Sequence, residues 1–493
     1  MKYKLFAGVM AVVMLFCALA ASAMEAEVGP YRVHQHQTAR QPSAGCDCGG
    51  TELCTHLPLV VIDTAGQDIP GVPLNESSSD ADAGFTTTAE GDAMLSARVA
   101  ILDDETRNHH PSDQPDLETD TLIRVRGNSS RYFDKKSYLL RFTDEKGEYA
   151  DHQVMGMDAH YEWALYGPYL DKSLIRNYMW YNIAGEIMDY APNVRFCEVI
   201  LNGEYQGLYV MVETITNGTD CRVNVSEPID NTNATGYVLR LDRGSENELK
   251  NINNFTYYTY RIGQLHNFRV NIAYPRSGTL TKEMADAIEQ DLSDFEKTLY
   301  SFDYDSELYG YKTWIDVDSF LDYFILNELT CNYDAGTLST YLYKDIGGKY
   351  RMCIWDFNSA CENYENLTTQ PQHFELQNTI WFLMLMKDEE FVQDIIDRYY
   401  QLRKGILSDE YLLNYIDETV AYLGPAIERN FEKWGYTFTE YLPLSPKSRN
   451  PESFEAAVEQ MKDFIVERGD WMDDHIEILK QYGHPSKNKK YNH

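Results

Sequence analysis

Positive charge is scarce in this chain. Lysine and arginine number 43 against 77 aspartates and glutamates, for a net charge of −34. A surface of that sign repels phosphodiester backbones and anionic lipid headgroups, which excludes nucleic acid and acidic membranes as partners held by charge. It suits a basic protein partner or divalent counter-ions. Long apolar runs are scarce too. The one of note opens the chain, in MKYKLFAGVMAVVMLFCALAASAMEAEVG, and no later stretch is apolar and long enough to span a bilayer. Lys2 and Lys4 precede an apolar stretch from Leu5 to Ala20, and Ala21-Ser22-Ala23 has the small-x-small form of a cleavage site. Residues 1–23 therefore read as a secretory signal peptide, and the chain as exported. A retained anchor is the alternative, for which the run is slightly short.

Internal repeats are missing, and so is any cysteine spacing typical of zinc modules. Eight cysteines follow residue 23: Cys46, Cys48, Cys54, Cys197, Cys221, Cys331, Cys353 and Cys361. An even number in an exported chain permits disulfides. The first three sit in CDCGGTELCTH, near His34, His36 and His56. A metal knot there is one reading; a disulfide or free thiols is the favoured one, because the spacing matches no zinc pattern. Aromatic residues are abundant, at 13% with 37 tyrosines, which marks a folded globular chain and not a disordered acidic one.

Residues 24–56 are polar and aperiodic and read as a leader or linker. One large domain, 57–485, follows, and then a basic tail, 486–493. Within 57–275 the pattern is mostly that of antiparallel strands: LPLVVID, MLSARVAIL, TLIRVRG with KKSYLLRF, a hairpin about Asn202-Gly203, and GYVLRLD. Asn75 to Gly84 reads as a loop. One helix, Ser173 to Met188, stands among the strands, with Asp171 or Ser173 as its cap. Within 276–485 helical spacing dominates, over 282–300, from 317 with Asp316 as cap, and from 454. The fold class is thus α+β, with a β-rich first half and a mainly helical second half.

The second half holds one hairpin, CNYDAGTLSTYLYKDIGGKYRMCIWDFNSACENYE. Its strands, Thr340 to Lys344 and Tyr350 to Trp355, flank a Gly-Gly turn, with Tyr341 expected opposite Met352 and Leu338 opposite Trp355. Asp334 precedes the first strand and Asp356 follows the second. Antiparallel pairing returns both to one end, within ~10–15 Å at ~3.3 Å per residue. Phosphoryl transfer needs such a pair: one carboxylate at the acceptor hydroxyl, another to hold Mg²⁺ against the phosphates. Neither the H-R-D triplet nor the glycine of D-F-G is present. Two solvated acids around a turn is the plainer reading of the same residues.

Five blocks occur in order: IRVRGNSSRYFDKKSYLLRF, LDKSLIRNYMWYNIAGEIM, VILNGEYQGLYVMVE, FLDYFILNELTCNYD, and STYLYKD with YRMCIWDF. As an ordered set they resemble the CotH family, atypical secreted or spore-associated protein kinases, over most of residues 57–480. The resemblance implies a two-lobed kinase-like fold, with a β-rich N-lobe and a helical C-lobe. It also implies use of ATP with Mg²⁺ or Mn²⁺, and Ser/Thr phosphorylation of protein, with basic coat or surface proteins as partners and a spore coat, cell surface or medium as location. It makes Asp334 the catalytic aspartate and Asp356 the metal aspartate. Lys135 or Lys136 becomes the phosphate lysine. Arg126, Asn128 and Ser129 are further candidates at the phosphates, with an ion pair or an ordinary turn as the alternative, and Glu213 or Glu186 is a candidate partner for the lysine. The sequence departs from the family pattern at Asn358, where an aspartate is expected. An asparagine still offers a carbonyl oxygen to the metal, with one negative charge fewer. A second departure is Arg240, where an acid is expected.

Overall fold

The computed structural model describes residues 46, 48, 50, 52–75, 84–243, 247–249, 269–364 and 371–486. The expected signal peptide, most of the leader, most of the 75–84 loop and residues 487–493 lie outside these. The described residues form an α+β structure of fifteen strands and eight α-helices. Strands β1 (Leu59–Asp63), β2 (Leu95–Leu102), β3 (Leu117–Arg126) and β4 (Ser137–Thr143) lead through a small hairpin, β5 (His152–Val154) and β6 (Met157–His160). Strands β7 (Glu162–Tyr166), β8 (Val194–Leu201) and β9 (Glu204–Glu213) follow. Seven of these close into a barrel, in the order β1-β2-β3-β4-β7-β9-β8. Each neighbouring pair is antiparallel except the closing one, where Leu59 to Ile62 run parallel to Glu198 to Leu201.

Alternation along the strands fills the barrel. Ile123 and Val125 on β3 join Val60, Ile62, Val99, Leu140, Phe142, Trp163 and Met211 inside. The two-residue period then sets Arg124 and Arg126 on the other face of β3. The turn at Asn202-Gly203 forms as expected, with both residues at positive φ, 51° and 81°. Between β3 and β4 the chain makes a short 3₁₀ helix, Ser129–Tyr132, in place of a simple turn.

A second ladder, β10 (Asn217–Gly218) with β11 (Cys221–Arg222), leads to a four-stranded sheet. Its order is β13-β12-β14-β15, from β12 (Tyr237–Asp242), β13 (Arg269–Tyr274), β14 (Thr340–Lys344) and β15 (Arg351–Cys353). The hairpin is therefore joined to strands from before residue 275 and does not stand alone among helices. Its register is one residue from that expected: Tyr341 faces Cys353 and Leu342 faces Met352. The turn sets this. Gly347 takes φ +68° and the Gly348 N–H closes on Asp345 O at 2.9 Å, so the ladder is symmetric about Gly347.

The helices are α1 (Arg176–Ile187), α2 (Lys282–Leu299), α3 (Val317–Leu329), α4 (Phe382–Leu385), α5 (Glu389–Arg403), α6 (Asp409–Leu423), α7 (Pro425–Trp434) and α8 (Phe454–His475). Asp316 caps α3, accepting from Ser319 N at 3.2 Å, and Thr281 caps α2 in the same way. One apolar core unites α1, the outer face of β8 and β9, β12, β14 and the later helices, through Tyr178, Phe196, Leu239, Leu342, Phe324, Trp381 and Met461. None of the described helices is long and apolar enough to cross a membrane.

Candidate functional site

Asp334 and Asp356 sit at the open end of the β14–β15 hairpin, each on its own loop. After α3 the chain turns at Asp334, whose carbonyl accepts from Thr337 N at 3.1 Å, Leu338 N at 2.8 Å and the Thr337 hydroxyl at 2.9 Å. Asp356, three residues past β15, has φ +63°, left-handed backbone that an L-residue other than Gly, Asn or Asp seldom adopts. Helix α1 holds it there. The Tyr181 hydroxyl accepts the Asp356 N–H at 2.8 Å, and Asn177 Oδ1 accepts the Phe357 N–H at 2.7 Å. Asn177 and Tyr181 are four residues apart, so one face of α1 presents both. The Tyr181 ring also stacks on Trp355 at 5.7 Å. Asp356 is partly open to solvent at its surface but walled by protein. Burial pushes its carboxyl up to about 7, the Asp334 charge adds to the rise, and Arg126 opposes it. The two carboxylates thus feel each other although 22 residues separate them in sequence.

The two loops are tied together from behind. Cys361 N donates to Thr330 O at 2.8 Å. Arg176 donates to Ala360 O at 2.9 Å and Cys361 O at 3.1 Å, while its other nitrogen meets Asp171 at 2.5 Å. Asp171 also accepts from Arg176 N and Ser173 N, so it braces the start of α1, although by backbone geometry Ile175 is the cap. Both members of this ion pair are almost wholly buried, and removing one alone would strand the other's charge. Asn327 anchors the Asp334 loop through Asn332, at 3.0 Å. Glu328, buried against Arg468 at 3.0 Å, anchors it through the end of α3 and accepts from Glu375 N and Leu376 N. Cys331, Cys353 and Cys361, beside the aspartates, are buried thiols without a disulfide.

The cations divide into two groups. Arg126 ends β3 with its guanidinium carbon 5.4 Å from the Trp355 ring centre. Arg124 is half-buried beside it, and desolvation, then Arg141 and Arg126, hold its pKa down. Arg131 is pushed down to about 10 by burial and then by Arg124 and Arg126. Arg240, on β12 opposite Tyr341, adds to the charge felt by Arg124 and lies 3.7 Å from Asp242. Arg141 and Arg240 each have an acid beside them, Glu162 and Asp242, so the lowering falls on Arg124 and Arg131, and burial leads it in both. Lys135 belongs elsewhere: it is buried, and its ammonium donates to Leu208 O and to Asn430 Oδ1 of α7, both at 2.7 Å. Lys136 donates to Arg131 O at 2.9 Å. Asn128 and Ser129 are exposed in the turn after Gly127, where φ is +109° and a Cβ would meet Ser130 Oγ at 1.8 Å. The Asn358 amide donates to Ser359 Oγ at 3.1 Å, and the Asn358 backbone carbonyl accepts from the Asn363 side chain at 2.7 Å. Glu213 pairs with Arg222 at 2.8 Å, and Glu186 is exposed on α1.

The family model for "CotH kinase protein" matches residues 123–472, well over half of the chain. The chain belongs to the CotH family. The matched span contains Arg126, Asn128, Ser129, Lys135, Lys136, Asp334, Asp356 and Asn358. Among curated relatives, the inner spore coat protein H of Bacillus subtilis (strain 168) is 22% identical over 365 residues, covering 73% of this chain and 88% of that protein. Reading the CotH blocks residue by residue did not single out Asn177 and Tyr181, nor Arg124. The signal was available in α1, where 11 of 12 residues are buried. A helix buried all round that carries Arg176, Asn177 and Asn182 must hand those polar groups to other elements.

Proposed function

We propose that this CotH chain is an exported, ATP-dependent protein Ser/Thr kinase of the two-lobed kinase-like kind, with the nucleotide between a β-rich and a helical lobe. One observation carries the reading: Asp334 and Asp356 share one end of a hairpin, and α1 fixes the Asp356 turn through Tyr181 and Asn177. Carboxylate oxygens are the donors that Mg²⁺ or Mn²⁺ takes, and a divalent cation would offset the burial and, after it, the Asp334 charge that raise the Asp356 pKa. The Arg126 guanidinium, whose charge reaches Asp356, fits phosphates in the same sense. Bound ATP with its metal supplies the γ-phosphoryl group and neutralises developing charge. Asp356 and the Asn358 carbonyl oxygen would hold the metal. Asp334 orients the acceptor hydroxyl and takes its proton. Arg126 is the best-supported phosphate ligand, followed by Lys136, Asn128 and Ser129; Lys135 is the least supported, since its ammonium is engaged by Leu208 and Asn430.

A net charge of −34 favours basic Ser/Thr-bearing proteins as substrates. The name of the Bacillus relative points to a spore-coat location. The test is transfer of labelled phosphate from ATP with Mg²⁺ to a basic Ser-rich protein, by wild type, Asp334→Ala and Asp356→Ala. Each substitution should cost about 10²-fold or more. Wild type that transfers no more phosphate than either variant overturns the reading. Asn358 favours a second one, a binding or assembly protein on the same scaffold; Mg²⁺-dependent ATP binding by calorimetry separates the two.

A further inference from the structure

We propose that Cys46, Cys48, Cys54 and His110 form a structural zinc site that pins the chain ahead of β1 to the β2–β3 connection. One ligand atom from each lies within 4.8 Å of all the others. Tetrahedral zinc with Zn–S bonds of about 2.3 Å holds its sulfurs about 3.8 Å apart, so side-chain shifts of about 1 Å would close the shell. Cys46 Sγ already stands 3.1 Å from His110 Nε2.

The surroundings are those of a metal site. Asp113 Oδ2 lies 3.1 Å from His110 Nδ1 and accepts the His110 backbone N–H at 2.9 Å. That carboxylate keeps the ring proton on Nδ1 and leaves the Nε2 lone pair facing the thiols, the arrangement by which carboxylates orient zinc-binding histidines. Asn108 Nδ2 donates to Cys54 Sγ at 3.1 Å, an outer hydrogen bond of the kind that orients a ligand. The backbone fixes the approach, because Thr55 and His109 exchange N–H···O bonds of 3.1 and 2.6 Å, one residue from Cys54 and from His110. His56, which lay nearest in sequence, is used elsewhere, on Tyr422 O at 2.6 Å; His34 and His36 lie outside the described residues. A disulfide would use two of the three cysteines and give no role to the aim of His110 or to Asn108. No disulfide joins the described cysteines. Three thiolates and an imidazole select zinc over the hard cations suited to carboxylates, and four protein ligands leave no open position for catalysis.

The test uses the full chain, purified without chelator. Elemental analysis should find one zinc per chain, and exchange with cobalt(II) should give the intense visible absorption of tetrahedral thiolate coordination. Cys48→Ser and His110→Ala should lose the metal, and Asp113→Asn should weaken it about 10- to 100-fold. Strong chelator should lower the melting temperature of wild type but not of Cys48→Ser. If these variants fail to fold, the wild-type cobalt spectrum decides alone. The proposal is overturned if the wild-type chain neither carries zinc nor takes up added Zn²⁺ or Co²⁺. A thiol count that rises by two on reduction, with no metal bound, overturns it in favour of a disulfide.

Discussion

Tyr181→Phe is the sharpest probe of how Asp356 is held. The ring is 1% exposed, stacked on Trp355 and set edge-on to Phe357, so phenylalanine preserves its packing. Only the hydroxyl goes, and with it the acceptor for the Asp356 N–H. A net hydrogen bond is worth about 0.5–1.5 kcal/mol, and an N–H left unsatisfied costs about 1–3 kcal/mol. We expect urea unfolding to lose about 1–2 kcal/mol with the slope unchanged. We also expect Mg²⁺–ATP affinity, read by calorimetry, to fall about tenfold, the equivalent of about 1.4 kcal/mol in aim of the carboxylate. Asn177→Ala should do the same through Phe357, and the double variant should cost less than the sum, because both side chains hold one turn. A Tyr181→Phe protein that loses stability yet binds Mg²⁺–ATP like wild type refutes the link between the clamp and the site.

Two further outcomes follow from the same geometry. Arg126→Met should weaken nucleotide binding while leaving the urea midpoint in place, whereas Lys135→Met should lower the midpoint and leave nucleotide affinity unchanged; the reverse pattern would return the phosphate role to Lys135. In the metal-free protein the Asp356 carboxyl is raised from 3.8 to about 7, so the folded state holds this proton more tightly than the unfolded chain. Its contribution to stability is therefore full at low pH and is lost as pH rises through that window. Metal-free Asp356→Asn should melt above wild type at pH ~8 and level with it at pH ~4; equal melting at both would count against the raised pKa.

Local chemistry was legible in the sequence, and long-range closure was not. Asn202-Gly203 and Asp316 each act within a few residues, so their turn and cap follow from residue type. The hairpin was legible in the same way, but its register hung on which glycine took the positive φ, and a one-residue difference changes every cross-strand partner. The β1–β8 pairing joins segments about 140 residues apart, and no period in either strand announces it. The same limit governs both clusters of chemistry. Asp334 and Asp356 could be brought together on paper because one short hairpin links them. The Asn177–Tyr181 clamp and the approach of His110 to Cys46, Cys48 and Cys54 depend on a helix and a barrel connection far off in sequence. The spacing rule that argued against zinc at CDCGGTELCTH assumes that all ligands come from one short segment. Here the barrel supplies the fourth ligand from 56 residues beyond Cys54, so the unfamiliar spacing says only that the ligand set is not local.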